Sequence, residues 1–102
     1  MGAKLIVAPE AQSDLDEAYD WYESRSFGLG ERFLFRVDAC IASIHRAPKM
    51  YPVVAGNLRR AFIRQFPYII YYIHKRTGLT VFAVLHSARD PNTIRMRLPK
   101  FP

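Results

Sequence analysis

Residues 66–91 read FPYIIYYIHKRTGLTVFAVLHSARDP, two nearly unbroken apolar runs joined by a short polar link and closed by a polar exit. The runs at 67–74 and 79–85 are rich in tyrosine, isoleucine, valine and phenylalanine, which favour strands, and Lys75, Arg76, Thr77 and Gly78 supply a hairpin turn between them. A strand that alternates apolar with polar needs cover on one face only. These two are apolar at both parities, so the pair belongs in the middle of a sheet with something packed on it. The apolar pattern stops at His86, Ser87, Ala88, Arg89, Asp90 and Pro91. Polar groups at the end of a rigid strand are positioned at little entropic cost, which makes this exit a place to look for function.

Working upstream, 59–64 (RRAFIR) reads as a short strand that leads into the central pair, with Gly56 and Asn57 as the turn before it. Pro48 and Pro52 stop a helix in which Phe33, Val37, Cys40, Ile41 and Ile44 recur at helical spacing. Gly28 and Gly30 allow a tight reversal from an earlier helix whose apolar stripe is Ala11, Leu15, Ala18, Tyr19 and Tyr22. Pro9 suits that helix's first turn, and residues 4–7 form a short strand ahead of it. The order is strand, two helices, three strands. It predicts an α+β fold in which a helical hairpin packs on one face of a small, mainly antiparallel sheet. The basic, proline-broken stretch 92–102 is expected to add an edge strand or to stay mobile until it meets a partner.

At 102 residues, half of them apolar, residues 1–102 are expected to form one domain with 92–102 as its tail. No run approaches the roughly 18–20 apolar residues of a membrane span, and no signal-peptide pattern opens the chain, so a cytoplasmic protein with no membrane contact is expected. The single cysteine, Cys40, cannot form an internal disulfide and reads as a small buried hydrophobe. With His45, His74 and His86 scattered, no metal-ligand spacing exists, and no cofactor is expected.

Charge is sorted along the chain. Residues 1–27 carry six acids (Glu10, Asp14, Asp16, Glu17, Asp20, Glu23) against Lys4 and Arg25, a local charge of −4. Residues 59–102 carry nine bases (Arg59, Arg60, Arg64, Lys75, Arg76, Arg89, Arg95, Arg97, Lys100) against Asp90, a local charge of +8. A bias this one-sided in the half that holds the sheet points to an anionic partner there, nucleic acid or an acidic protein segment.

Taken in order, Ala11, Asp14, Leu15, Glu17, Ala18 and Trp21-Tyr22, then Gly28-Leu29-Gly30 with Phe33, 44–48, Tyr51-Pro52, Arg59, Phe66-Pro67-Tyr68, Ile70-Tyr71-Tyr72 and 84–91 (VLHSARDP) form a pattern that is specific as a set. It resembles the RelE/ParE superfamily of toxins from bacterial type II toxin-antitoxin modules, on the ParE-like or plasmid-stabilisation branch. The resemblance implies a growth-inhibiting toxin neutralised by an antitoxin from the same operon, with operator DNA bound only through that antitoxin. RelE-like members resemble ribosome-dependent nucleases that cut messenger RNA, whereas ParE-like members inhibit DNA gyrase by binding it.

Cleavage of RNA by a ribose 2′-hydroxyl needs a base, an acid for the leaving oxygen, and cations for the phosphorane charge. His86 is the candidate acid or base, and Arg59, Arg64 and Arg89 are the candidate phosphate clamps. One histidine supplies half of an acid/base pair. The family's nucleases commonly add a tyrosine or histidine near the C-terminus, whereas the last tyrosine here is Tyr72, within a central strand. A gyrase-binding toxin is therefore the leading reading. A messenger-RNA endoribonuclease acting at the ribosome and a non-toxic basic interaction module are the alternatives. For binding of target or antitoxin the candidates are Arg59, Arg60, Arg64, Arg89, Arg95, Arg97 and Lys100. As regular strand, 59–64 would put Arg60 and Arg64 on one face and Arg59 on the other. Trp21 with Tyr19 and Tyr22 is expected to be packing, because a phosphate backbone would be repelled by the acidic helix that carries them.

Overall fold

The computed structural model describes residues 4–88 and 92–97. Its elements run β1 (Lys4–Val7), α1 (Pro9–Arg25), α2 (Leu29–Arg46), β2 (Val53–Ala55), β3 (Leu58–Phe62), β4 (Tyr68–Lys75), β5 (Gly78–His86) and α3 (Thr93–Arg97). The five strands form one sheet in the order β1-β5-β4-β3-β2, with β1 parallel to β5 and the other neighbours antiparallel. This is the α+β arrangement expected, with β4 and β5 inside the sheet.

Two elements were absent from the sequence reading. Val53–Ala55 forms a three-residue strand that folds back on β3 through the Gly56-Asn57 turn. Residues 93–97 form a short helix rather than an edge strand. The third strand also ends at Phe62, so Arg64 lies in the β3–β4 turn and does not share a strand face with Arg60.

The helical hairpin is built from its two apolar stripes. Ala11, Leu15, Ala18 and Tyr22 of α1 and Phe33, Val37 and Ile44 of α2 are buried against Ala61, Tyr68, Ile70, Tyr72, Leu79, Val81 and Val84 of the sheet. Aromatic rings knit this layer, with Tyr22 edge-on to Phe66 at 4.9 Å and Phe33 edge-on to Tyr68 at 5.1 Å. Leu58, Ile69, Tyr71, Ile73, Ala83 and Leu85 form a second cluster on the opposite face, with Phe82 and Ile94 of α3 against it. That second layer explains why β4 and β5 are apolar at both parities. A bulge sets the division. Tyr71 pairs with Ala83 but Tyr72 with Val81, so Phe82 is an extra residue, and Val81 and Val84 both turn to the helices.

The tight α1–α2 reversal has a specific cause. Gly28 caps α2 at φ 86° and has no side chain to hold the first N–H groups. Glu23 supplies the oxygens instead: its Oε2 accepts from the Gly28 N–H and its Oε1 from the Gly30 N–H, both at 2.9 Å. Gly30 also sits against α1 so closely that a β-carbon would lie 2.8 Å from the Tyr19 ring. Replacing Glu23 by Ala is expected to destabilise the protein by about 1–2 kcal/mol, the cost of losing a helix cap, and chemical denaturation would read it.

Candidate functional site

Polar side chains gather first where β5 outruns its neighbour. β1 has four residues and β5 has nine, so beyond Val81 the parallel pairing ends. The Ala8 N–H makes the last link, to the Val81 carbonyl at 2.9 Å, and the chain turns into α1. Asp14 then reaches the β5 edge, where its Oδ2 accepts from the Val84 N–H at 3.0 Å. Arg97 of α3 donates Nη1 to Oδ2 and Nη2 to Oδ1, both at 2.8 Å, in the bidentate form that gives the strongest such pairs. One carboxylate thus joins α1, β5 and α3. Beside it runs a groove of about 510 Å³ lined by Glu17 and Trp21 of α1, Tyr68, Val84 and Thr93.

Asp14 was read from sequence as an acid of the first helix and as part of the family pattern, with no role or partner assigned to it. A signal was present: it lies three residues after Ala11 and four before Ala18, inside the stripe that α1 buries. An acid in an apolar stripe asks for a partner. Its partner, 83 residues away, had no such signal.

His86 closes β5 opposite Tyr68, its ring edge-on to the phenol at 5.2 Å. Its Nδ1 accepts from the Ala88 N–H at 3.0 Å, so the imidazole shapes the turn that leaves the strand. Arg59 lies on the helix-facing side of β3. Its Nη1 donates to the Tyr51 carbonyl at 2.6 Å and to the Lys49 carbonyl at 3.3 Å. The Tyr72 hydroxyl donates to the Pro48 carbonyl at 2.6 Å, and burial pushes the phenol up to about 12, so it keeps its proton. Arg59 and Tyr72 together fasten the segment between α2 and β2.

Arg60 is exposed on the opposite sheet face, its guanidinium 5.4 Å from the Phe62 ring centroid. Arg64 is exposed in the β3–β4 turn and lines a cleft of about 140 Å³ with Arg36, Cys40, Ser43, Tyr51 and Phe62. Arg95 is exposed on α3. Arg89 and Lys100 lie outside the described residues. The five nominated cations among the described residues do not form one cluster: Arg59 and Arg97 have internal partners, and Arg60, Arg64 and Arg95 face solvent on separate elements.

Cys40 is half-buried as a small apolar filler. Burial pushes its thiol up to about 11, and the Sγ lies 3.7 Å from the Phe62 carbonyl oxygen. Trp21 packs edge-on to Tyr22 at 5.1 Å, with the Arg25 guanidinium 4.3 Å above it. Among the described residues no group of His, Cys, Asp and Glu is placed to hold a metal ion, and no helix is long and apolar enough to cross a membrane.

Residues 5–91 match the family described as ParE toxin of type II toxin-antitoxin system, parDE. The chain is 27% identical over 100 residues to Toxin ParE2 of Mycobacterium tuberculosis, covering 96% of this chain and 94% of that relative. Its fold is similar to that of a chain from the chromosomal ParDE TA system of P. aeruginosa, with a TM-score of 0.59 at 17% identity, over 82% of this chain and 95% of that one.

Proposed function

The chain belongs to the ParE toxin family of type II toxin-antitoxin systems, and from that membership we infer that it arrests growth by binding DNA gyrase and that a cognate antitoxin neutralises it. The observation that carries the choice of target is the state of the side chains a nuclease would need. A phosphate clamp must be free to close on its substrate, but Arg59 is spent on two loop carbonyls, at 2.6 and 3.3 Å. His86 uses Nδ1 to accept a backbone N–H at 3.0 Å. Tyr72 is buried and bonded to the Pro48 carbonyl. These groups stabilise the fold, which supports a toxin that works through its surface.

Arg60, Arg64 and Arg95 are the exposed cations through which such a surface would meet its partner, and each is expected to contribute by degrees and in a salt-dependent way. The test is induced expression of the chain alone in bacteria, with DNA supercoiling, SOS induction and transcript integrity read together. SOS induction with intact messenger RNA is expected, and His86→Ala should leave it unchanged. Transcripts cut within codons, without SOS induction and only while His86 is present, would replace this reading with the ribosome-dependent nuclease.

A further inference from the structure

The second helix divides its charge by face. Arg32, Arg36 and Ser43 fall at i, i+4 and i+11, so they share one stripe, and Arg46 continues it a turn later. The acids of α2 lie across the helix. Glu31 accepts from the Tyr19 hydroxyl of α1 at 3.0 Å, and Asp38, two turns on, shares its side. Where the basic stripe meets the β3–β4 turn there is a cleft of about 140 Å³, walled by Arg36, Cys40 and Ser43 on one side and Arg64 on the other. No acid is among its described lining residues, and it shares none of them with the groove at Asp14.

The polar groups of this cleft are positioned and unneutralised. Gln65 sits at φ 70°, a costly conformation for a residue with a side chain, and in it the side-chain oxygen accepts from Arg36 Nε at 3.1 Å. The Arg36 guanidinium is thereby tethered through Nε, with its two Nη groups left over. Arg46 Nη2 donates to the Ser43 oxygen at 3.1 Å, so the Ser43 hydroxyl proton can be donated elsewhere. Among the described residues the ion pair is that of Asp14 with Arg97, and no carboxylate pairs with Arg36, Arg46 or Arg64. Phe62 meets the cleft through its backbone, where its carbonyl oxygen lies 3.7 Å from the Cys40 Sγ. Burial pushes that thiol up to about 11, so no thiolate opposes an anion.

We propose that this cleft binds a phosphate group, with the Arg36 and Arg64 guanidinium groups and the Ser43 hydroxyl donating to its oxygens and Arg46 adding charge behind Ser43. A carboxylate is satisfied by one guanidinium in the bidentate form, whereas several guanidinium groups and a hydroxyl call for an anion with more oxygens and more charge. The cleft is smaller than the roughly 300 Å³ at which pockets for whole organic ligands begin, so it takes the phosphate and leaves the rest of any larger molecule outside. The site goes beyond the gyrase reading and does not rest on it.

The full chain would be titrated with inorganic phosphate at constant ionic strength and followed by nitrogen–proton NMR. Saturable shifts are expected at the Arg36 Nε–H and at the amides of Ser43, Arg64 and Gln65. Arg36→Gln with Arg64→Gln should weaken binding at least about tenfold. Arg64→Gln alone, at an exposed turn position, keeps the fold and should weaken it several-fold. Gln65→Gly keeps the left-handed turn but removes the Arg36 tether, and should also lower affinity. Arg95→Gln on α3 should change nothing. Shifts that never saturate, saturable binding that survives the Arg36 and Arg64 changes, or acetate bound as tightly as phosphate would each overturn the proposal. An oligothymidine without a terminal phosphate separates the sources. Shifts at the same residues, lost in the same variants, assign the site to the phosphodiester backbone, and phosphate binding without them assigns it to a free phosphate. Growth inhibition is scored separately, so a toxin that fails to arrest cells and a cleft that fails to bind are different results.

Discussion

Asp14→Ala is expected to destabilise the protein by about 2–4 kcal/mol, because it removes both bonds to the Arg97 guanidinium and orphans the Val84 N–H at the β5 edge. Removing one partner of a fully buried pair costs about 3–5 kcal/mol. Here the side chains retain 20% and 10% exposure, so water recovers part of that. For a chain of this size the melting temperature should fall by roughly 10 °C or more. Asp14→Asn separates the two roles, since the amide oxygen can still accept from Val84 while the charge that holds Arg97 is gone. It should fall between wild type and Ala. Arg97→Met should cost less than Asp14→Ala, because the carboxylate keeps its Val84 bond. If Asp14→Ala melted within a degree or two of wild type, the carboxylate's place as the joint of α1, β5 and α3 would be wrong.

Gly78→Ala should release β1 from the sheet. Gly78 pairs with Lys4 at φ 149°, a conformation that L side chains rarely adopt. Its β-carbon would run into the Lys4 carbonyl oxygen and lie 2.8 Å from the Lys4 nitrogen and 2.9 Å from the carbonyl carbon. Those are backbone atoms and cannot rotate away. Relief requires β1 to lift, with loss of up to four paired positions and strain of order 1–3 kcal/mol where it does not. Hydrogen exchange should show the β1–β5 amides losing protection while the β3–β4 amides keep theirs. Uniform protection in the alanine variant would show that the strand accommodates the side chain.

Much of the fold was legible because its signals are local. The two helical stripes carry a helix's period: Ala11, Leu15, Ala18 and Tyr22 and Phe33, Val37 and Ile44 are buried as read, whereas Tyr19, Cys40 and Ile41 at the stripe margins are half-buried. The β4–β5 hairpin announced itself by composition. The strand at Val53–Ala55 did not, because three residues between a proline and a glycine are too few to show a period. α3 was equally hidden. Residues 93–97 bury no side chain fully, and the helix is held by Ile94 on the outer cluster and Arg97 on Asp14.

The candidate site was legible in kind and less so in arrangement. The sequence marked the arginines of the second half as a group, yet a guanidinium is a sheet-fastener at Arg59, an ion-pair partner at Arg97 and a cleft wall at Arg64. Nothing in the neighbouring residues distinguishes these fates. Arg36 and Ser43 of α2 were absent from the binding candidates, because they join Arg64 only when the helix packs on the sheet.

By itself the sequence determined the order of β1, the two long helices, β3, β4 and β5, the place of the tyrosine-rich hairpin inside the sheet, the separation of acid from base along the chain, and the family pattern, all of which are written in residue type and local spacing. Tertiary structure alone decided that Phe82 is an extra residue in β5, that Asp14 replaces a missing strand neighbour, and which arginines remain available to a partner. The physical reason is separation in sequence: a bulge answers to the opposite strand, and a carboxylate to a guanidinium 83 residues away, so neither leaves a local period to read.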